Sequence, residues 1–155
     1  MTEPPRDDRR WELVSECGPF ADLIGPMYAS QDMLEPGEGV RFGFRVAPQH
    51  CNPRPVCHGG MLASFLDIAL ARGIRTIWDL PAPLPTITLS LDYLAPATLG
   101  EWIDARVSVI RVGGSTCFAQ ALLHGPSVPV LRGSGVFKHY GGAARNLHAG
   151  QTTAM

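Results

Sequence analysis

Residues 52–76 read NPRPVCHGGMLASFLDIALARGIRT, and this stretch decides the fold. It opens with a proline-stiffened loop and continues into an apolar run from Met61 to Ile74. The run has helical length and composition, because it is rich in Leu, Ala, Met and Ile and holds no proline and no glycine before Gly73. Since it is apolar on nearly every side, we predict a helix that is buried on most sides. A buried helix in a chain of this length indicates a sheet wrapped around it.

Asp67 is the one acid inside the apolar run. Helical spacing places it on one stripe with small residues, namely Gly60, Ala63, Ser64 and Ala71. Small side chains leave room for another backbone or a ligand. The glycine-rich start of the helix offers unpaired N–H groups and a positive dipole end, which suit a carbonyl oxygen or an anion. Asp67 is therefore a candidate catalytic carboxylate.

Each of these features also has an ordinary structural explanation. Asp67 could accept a hydrogen bond within the core or pair with Arg72 or Arg75. His58 could be a structural histidine, and the two glycines after it could serve only as a tight turn. The combination of these residues, rather than any one of them, favours a functional site.

The combination resembles the pattern of a known family. An asparagine, five further residues, His-Gly-Gly and an acid seven residues after the second glycine is similar to the hotdog-fold thioesterases, in particular the PaaI-like acyl-CoA thioesterases. The matching residues are Asn52, His58, Gly59, Gly60 and Asp67. The resemblance extends over residues 18–139. It implies an α+β hotdog fold, in which an antiparallel six-stranded sheet is wrapped around one long central helix.

Hydrophobic periodicity predicts where the strands of such a sheet lie. The predicted strands are Met27–Leu34, Val40–Ala47, Thr86–Leu94, Trp102–Val112, Ser115–His124 and Val128–His139. In the third strand, alternation assigns to one face Ile87, Leu89, Leu91 and Tyr93. It assigns to the opposite face Thr86, Thr88, Ser90 and Asp92. Ahead of the strands we predict a short helix at Trp11–Cys17 and a short turn at Pro19–Ile24.

The chain length of 155 residues suits one domain with a sizeable core. Residues 1–10 are charged and contain prolines, so we expect a disordered N-terminus. Residues 11–140 are predicted to form a single hotdog domain. Residues 141–155 lack periodicity and are expected to form a flexible C-terminal tail.

The resemblance also implies an activity, the hydrolysis of an acyl-CoA or aryl-CoA thioester to the free acid and coenzyme A. In the mechanism that the resemblance implies, the backbone N–H of Gly59 and the side chain of Asn52 polarise the thioester carbonyl. Asp67 acts as general base or nucleophile. The hydroxyl of Thr86 matches a position that orients the water, and His58 matches one that supports the loop or the leaving group. We expect a thioester hydrolase with no cofactor and no metal.

Further substrate-binding residues are expected at two places. Gly60 and Ser64 lie on the small-residue stripe of the helix. Arg111, Gly113 and Ser115 lie in the turn where the family often carries a basic residue near the phosphates of coenzyme A. Gly114 stands where that basic residue is common, so either Arg111 serves alone or phosphate recognition is weak. Arg111 could also be no more than an exposed strand-end arginine.

The resemblance implies a site formed across a dimer, with the loop and the acid supplied by different subunits. The stripe of small residues suits the close approach of a second chain. Charged residues make up only 17% of the chain, which leaves surface for burial against a partner. We expect a dimer or a dimer of dimers, that is a homotetramer, with acyl-CoA bound at the subunit interface.

Two other functions stay open. A hotdog domain can bind acyl-CoA without turnover. Other hotdog enzymes hydrate or dehydrate acyl thioesters, although the usual dehydratase loop differs from the spacing of Asn52 and His58.

Charge and cysteine content narrow the partners further. The formal net charge is −1 with no basic run, which argues against nucleic acid and anionic membranes. The apolar run is too short to span a bilayer, and the charged N-terminus does not resemble a secretory signal. The four cysteines show no framework spacing, which favours free thiols in a reducing, cytoplasmic compartment. The spacing of His50-Cys51 and Cys57-His58 argues against a zinc site.

Overall fold

The computed structural model describes residues 3–5, 10–15, 17–30, 39–141 and 145–146. This part of the chain contains the α-helices α1 (Pro19–Ile24) and α2 (Gly59–Ile77). Its strands are β1 (Trp11–Leu13), β2 (Tyr28–Ser30), β3 (Val40–Arg45), β4 (Trp78–Asp79), β5 (Thr86–Tyr93), β6 (Trp102–Val112), β7 (Thr116–His124), β8 (Pro129–Lys138) and β9 (Arg145–Asn146). A single 3-10 turn, Pro48–His50, follows β3. None of the helices in these ranges is long and apolar enough to cross a bilayer.

Seven of these strands form one antiparallel sheet in the order β1-β2-β3-β6-β7-β8-β5. β4 and β9 pair only with each other. β5 lies at one edge of the sheet, where β8 is its one neighbour among the described strands. The predicted α+β architecture, an antiparallel sheet with one long helix, is confirmed, and β1 adds a seventh strand to the six that were predicted.

Helix α2 packs against one face of this sheet and forms the centre of the core. Phe65, Leu66, Ala69, Leu70 and Ile74 are each at most 1% exposed. Removing a large apolar side chain from water stabilises the fold by roughly 1.5–3 kcal/mol. The predicted burial of the helix is confirmed for this side, which we call the sheet side of α2.

Gly73 lies within α2 although glycine is a poor helix former, and the reason is steric. A Cβ atom at Gly73 would lie 2.5 Å from Cγ1 and 3.0 Å from Cβ of Val107. Val107 lies on β6 and is 0% exposed, so it has no room to move away. A glycine inside a helix costs about 0.5–1 kcal/mol relative to alanine. Close packing of α2 on β6 offsets that cost.

The N-terminal segment differs from its prediction. Trp11–Leu13 is the strand β1, paired with β2, and not part of a short helix. The Trp11 ring also packs edge-on against Trp102, with ring centroids 5.1 Å apart. Strand pairing and aromatic packing outweigh the weak local preference of so short a segment. The predicted turn at Pro19–Ile24 is the helix α1.

Several expectations fall on residues outside the described ranges. They are the disorder of most of residues 1–10, the extension of the first strand to Leu34 and the flexibility of most of residues 141–155. Within the predicted tail, Arg145–Asn146 is described and pairs with Trp78–Asp79. This pairing involves a sequence distant from the tail, so periodicity within the tail does not predict it.

A β-bulge at the start of β5 overturns part of the predicted alternation. Thr86 pairs with Phe137 and Thr88 pairs with Val136, so Ile87 is an extra residue without an opposite partner. Because directly opposed residues share a face and Phe137 is fully buried, Thr86 points to the face that packs on α2. Ile87 is 55% exposed. The predicted face of Thr86 was therefore wrong.

Candidate active site

His58 caps the N-terminus of α2. Its Nδ1 accepts a hydrogen bond from the Gly60 N–H at 2.8 Å, and its carbonyl oxygen accepts from the N–H groups of Met61 and Leu62. Three of the amides in the first turn of the helix are thus satisfied by one residue. His58 therefore has a structural contact as the cap of α2. Its exposed ring remains beside the helix start.

Gly59 is the first residue of α2, and its N–H differs from those that follow. No described residue accepts a hydrogen bond from the Gly59 N–H. The N–H lies at the positive end of the helix dipole and is a free donor of the kind that holds a carbonyl oxygen. The Gly59 N–H is therefore available to a ligand, whereas the Gly60 N–H already donates to His58 Nδ1.

Tyr93 secures Gly59 from the other side, and the sequence did not reveal this. The Tyr93 hydroxyl donates to the Gly59 carbonyl oxygen at 2.9 Å. A Cβ atom on Gly59 would lie 3.2 Å from the Tyr93 ring, so only glycine allows the ring to lie this close without displacement. Alternation had assigned Tyr93 to the apolar face of its strand. Tyr93 is instead 55% exposed, and it is the last residue of β5. Its exposure and its hydroxyl group indicate a role other than packing in the core.

Asp67 and Thr86 form the central contact of the site. Thr86 Oγ1 donates to Asp67 Oδ1 at 2.7 Å, across from β5 to α2. The β-bulge at Ile87 makes this contact possible, because strict alternation would turn Thr86 away from the helix. No described residue is recorded as donating to Asp67 Oδ2. Arg72, the ion-pair partner considered from the sequence, instead donates to the Ser15 carbonyl oxygen and to Cys17 Sγ.

The stripe of small residues is exposed rather than sealed by the sheet. Its members, none of which is buried, are Gly60, Ala63, Ser64, Asp67 and Ala71. We call this the open side of α2. It is flanked by the edge of β5 that pairs with no other described strand, and this edge is exposed at Ile87 and Tyr93. The carboxylate is therefore accessible, and a ligand or a second chain has room to approach it.

Asn52 lies in the loop that leads to the helix. Its Nδ2 donates to the carbonyl oxygens of Val56 at 3.2 Å and of Cys57 at 3.5 Å. Its backbone N–H also donates to Val56, at 2.9 Å. Asn52 therefore closes the loop on itself, and a role in polarising a carbonyl would require its side chain to release one of these long contacts.

Ser64 and the predicted phosphate-binding turn have other contacts. The Ser64 hydroxyl donates to the Gly60 carbonyl oxygen at 2.8 Å, one turn back along α2. In the β6–β7 turn, the Gly113 carbonyl oxygen is 2.9 Å from His139 Nε2, and the Ser115 carbonyl oxygen accepts from the His139 N–H at 3.0 Å. Arg111 is exposed at the end of β6. No recorded hydrogen bond in the described ranges joins this turn to Asp67 or Gly59.

Distance separates the two halves of the candidate site within one chain. Asp67 lies eight positions after Gly59, which corresponds to about 12 Å along the helix axis. Two surface cavities, of about 590 and 690 Å³, lie on the sheet face opposite α2 and include neither residue. The described residues also contain no group of three or more His, Cys, Asp or Glu side chains placed to hold a metal.

Comparison with known proteins assigns the chain to a family. The family model of the thioesterase superfamily matches residues 55–127, which include His58, Gly59, Asp67 and Thr86. A Pseudomonas aeruginosa protein named "Putative esterase PA0474" is 32% identical over 127 residues, covering 82% of this chain and 92% of that protein. The chain belongs to the thioesterase superfamily.

Solved structures confirm the hotdog fold of this thioesterase-superfamily chain. The PaaI protein of the E. coli phenylacetic acid degradation operon aligns with a TM-score of 0.65 at 23% identity, over 80% of this chain and 86% of that one. A hypothetical thioesterase of Streptococcus pneumoniae TIGR4, solved with coenzyme A, aligns with a TM-score of 0.64 at 16% identity, over 75% and 87%. The hotdog fold that the resemblance implied is thereby confirmed, and the family match confirms the thioesterase superfamily.

Proposed function

We propose that this protein hydrolyses an acyl-CoA or aryl-CoA thioester to the free acid and coenzyme A. The observation that carries the proposal is the Asp67 carboxylate on the open side of α2, with one oxygen held by Thr86 at 2.7 Å. Membership of the thioesterase superfamily supports the reaction class. The presence of coenzyme A in a structural relative supports the leaving group.

In this mechanism Asp67 acts on the carbonyl carbon of the thioester, directly or through water. As general base, Asp67 removes a proton from water while the water oxygen bonds to the carbon. The carbon–sulfur bond then breaks, and the coenzyme A sulfur leaves with the electron pair and takes up the proton. Thr86 holds Oδ1 of Asp67 and leaves Oδ2 to face the water. As nucleophile, Asp67 would form the new bond itself and water would release the acid.

The oxygen of the thioester needs hydrogen-bond donors as negative charge develops on it. The Gly59 N–H at the start of α2 is the donor that has no recorded acceptor among the described residues. Losing one such donor typically costs about 10²–10³ in kcat. Asn52 becomes a second donor if its Nδ2 exchanges the 3.5 Å contact with Cys57 for the substrate. His58 acts as the cap that holds the Gly59 amide in place.

The 12 Å separation of Gly59 and Asp67 supports a site shared by two copies of the chain. A general base must reach its proton within about 3 Å, so both residues of one chain cannot act on the same carbonyl. Two copies related by a two-fold axis at the β5 edge would bring the Gly59 of one to the Asp67 of the other. We therefore propose a homodimer, alone or within a tetramer, with two equivalent sites.

The remaining predicted substrate contacts stay proposals. Gly60 and Ser64 line the open side of α2, where their small size leaves space for the acyl group. Arg111 and Ser115 are exposed and Gly113 is half-buried, and this turn is proposed to meet the phosphates of coenzyme A in the assembled oligomer. If Arg111 makes this contact, Arg111→Ala raises KM with little change in kcat, because the contact exists in ground and transition states alike.

The direct test is turnover of a panel of acyl-CoA and aryl-CoA thioesters, followed with a thiol-reactive dye. Hydrolysis of at least one member, with release of one thiol for each acid formed, is expected. Tight binding without thiol release would make the protein an acyl-CoA-binding module instead. A change in enoyl-thioester absorbance without thiol release would indicate a dehydratase.

Complementation tests the shared site. Asp67→Asn and Asn52→Ala are each expected to be poorly active alone, because every site in either homodimer lacks one group. A mixed dimer has one site with both changes and one intact site. Unfolding and refolding the two variants together is expected to recover about a quarter of the parental activity. If mixed dimers form and the mixture is no more active than the separate variants, the shared site is overturned.

A further inference from the structure

Two cysteines face each other across the loop that precedes α2. Cys51 and Cys57 are partners in an isolated antiparallel bridge. The backbone hydrogen bonds of this bridge lie on either side of them, from the Asn52 N–H to Val56 at 2.9 Å and from the His58 N–H to His50 at 2.7 Å. Cys51 and Cys57 are therefore a non-hydrogen-bonded pair, the arrangement in which opposed side chains come closest.

This geometry meets the requirements of a disulfide. The Cα atoms of a non-hydrogen-bonded antiparallel pair lie about 4.5 Å apart. Disulfides join Cα atoms about 4.4–6.8 Å apart, with both Cβ atoms on the same side. Opposed residues in an antiparallel bridge share a side. Closing the bond therefore needs rotation of two side chains and no displacement of the backbone.

Both thiols are free, and their surroundings differ. Cys51 is half-buried and its Sγ donates to the Ala47 carbonyl oxygen at 3.5 Å, while Cys57 is 4% exposed and its Sγ donates to the His58 carbonyl oxygen at 3.7 Å. Burial, and secondly the nearby Cys51, raises the pKa of the Cys57 thiol to about 12. Because Cys51 is the more exposed of the two, its sulfur is the one that a reagent in solution meets first.

We propose that Cys51 and Cys57 form a redox modification site, which a low-molecular-weight disulfide such as glutathione disulfide closes into a bond across the loop that carries Asn52. The Cys51 thiolate bonds to one sulfur of the reagent, whose sulfur–sulfur bond breaks and releases one thiol. The Cys57 sulfur then displaces the second thiol from Cys51. The two protein thiols lose two electrons and two protons, and the reagent gains them as two thiols.

The bond would fix the loop from which the candidate carbonyl donors extend. Asn52 directly follows Cys51, and His58 and Gly59 directly follow Cys57. Its formation does not depend on the enzymatic reaction, whereas any effect on turnover rests on the proposed function. Disulfides in reducing compartments are generally transient and reversible, so this site acts as a sensor of oxidising conditions and not as a permanent brace.

The test is incubation of the full-length protein in glutathione buffers of increasing oxidised fraction, followed by alkylation of the remaining thiols and tryptic digestion. The Arg54–Pro55 bond resists trypsin, so Cys51 and Cys57 remain in one peptide, residues 46–72, which contains no other cysteine. The expected product is this peptide without alkyl groups and two hydrogens lighter. The free thiols fall from four to two, and hydrogen exchange at the Asn52 and His58 amides slows.

Variants distinguish the order of the steps. Cys57→Ser is expected to stop as a mixed disulfide at Cys51, with the mass of one glutathione added to the 46–72 peptide. Cys51→Ser is expected to leave Cys57 unmodified, because Cys57 is 4% exposed and the reagent does not reach its sulfur from solution. Cys117→Ser, which removes a buried thiol on β7, should behave as the parent. A parental protein that keeps its peptide alkylated on both cysteines, or ends as the mixed disulfide, would overturn the proposal.

Discussion

The two sides of α2 differ in what they contribute. On the sheet side, Phe65, Leu66, Ala69, Leu70 and Ile74 are almost fully buried, and even one added methyl at Gly73 would collide with Val107. On the open side, small residues surround the half-buried Asp67. Substitutions on the sheet side should therefore change stability, and those on the open side should change reactivity. Stability and reactivity are thus expected to depend on opposite sides of the same helix.

Asp67→Asn is expected to have the largest effect on the open side. Losing the proposed base or nucleophile should lower kcat at least about a hundredfold. The melting temperature should stay the same or rise, because the amide oxygen can still accept from Thr86 and no charge is left without a full set of partners. Asp22→Asn on α1 is the matched control, since Asp22 is an exposed acid far from α2 in sequence. A lower melting temperature with near-normal turnover would make Asp67 a structural residue.

Thr86→Val tests whether the β-bulge serves the chemistry. The substitution keeps the shape of the side chain and removes the hydroxyl that donates to Asp67, and a hydrogen bond to a charged group contributes roughly 1.5–3 kcal/mol. We expect kcat to fall by at least about tenfold. Thr88→Val, on the opposite face of the same strand, is expected to leave kcat unchanged. Asp67→Asn combined with Thr86→Val should cost less than the sum of the two single changes, and full additivity would show that the two residues act independently.

Gly73→Ala tests the sheet side. The added methyl should destabilise the fold by roughly 1–3 kcal/mol, because overpacking against Val107 outweighs the helix propensity of alanine. Denaturant unfolding measures the change in free energy. Turnover per folded molecule should remain parental, which is the reverse of the Asp67→Asn result. Combining Gly73→Ala with Val107→Ala restores space at the contact, so if overpacking is the cause, the added cost of Gly73→Ala should shrink in that background.

Tyr93→Phe should have the smallest effect. It removes one hydrogen bond to the Gly59 carbonyl oxygen and keeps the ring that lies on Gly59. A neutral hydrogen bond contributes about 0.5–1.5 kcal/mol, so kcat is expected to fall about two- to tenfold. The melting temperature should change little, because Tyr93 is 55% exposed. If Tyr93→Phe and the parental protein have the same kcat, the Tyr93 ring alone is enough to position the start of α2.

The elements that the sequence predicted well are those with a long and regular pattern. The central helix and the strands β3, β5, β6, β7 and β8 follow from periodicity. The grouping of Asp67 with small residues on one stripe also follows from helical spacing. These patterns depend on local repetition, which a single sequence contains.

The features that the sequence missed depend on contacts between distant segments. The β-bulge at Ile87 is set by pairing with β8, and without it the face of Thr86 is read wrongly. The need for glycine at position 73 comes from Val107 on another strand. Trp11–Leu13 has the length of a single helical turn and becomes a strand only because β2 offers it a partner. The resemblance placed Thr86 in the site although alternation did not, and the bulge explains why.

The position of β5 in the sheet has a consequence for synthesis of the chain. β5 carries Thr86, but its one described neighbour, β8, ends 45 residues after β5 does. At ordinary translation rates those residues take roughly 2–9 s to emerge. During that interval α2 and β5 are already made, yet the register that turns Thr86 towards Asp67 does not exist. We therefore expect the carboxylate to acquire its hydrogen bond only after β8 has left the ribosome, and a chain that ends before β8 to lack the contact between Thr86 and Asp67.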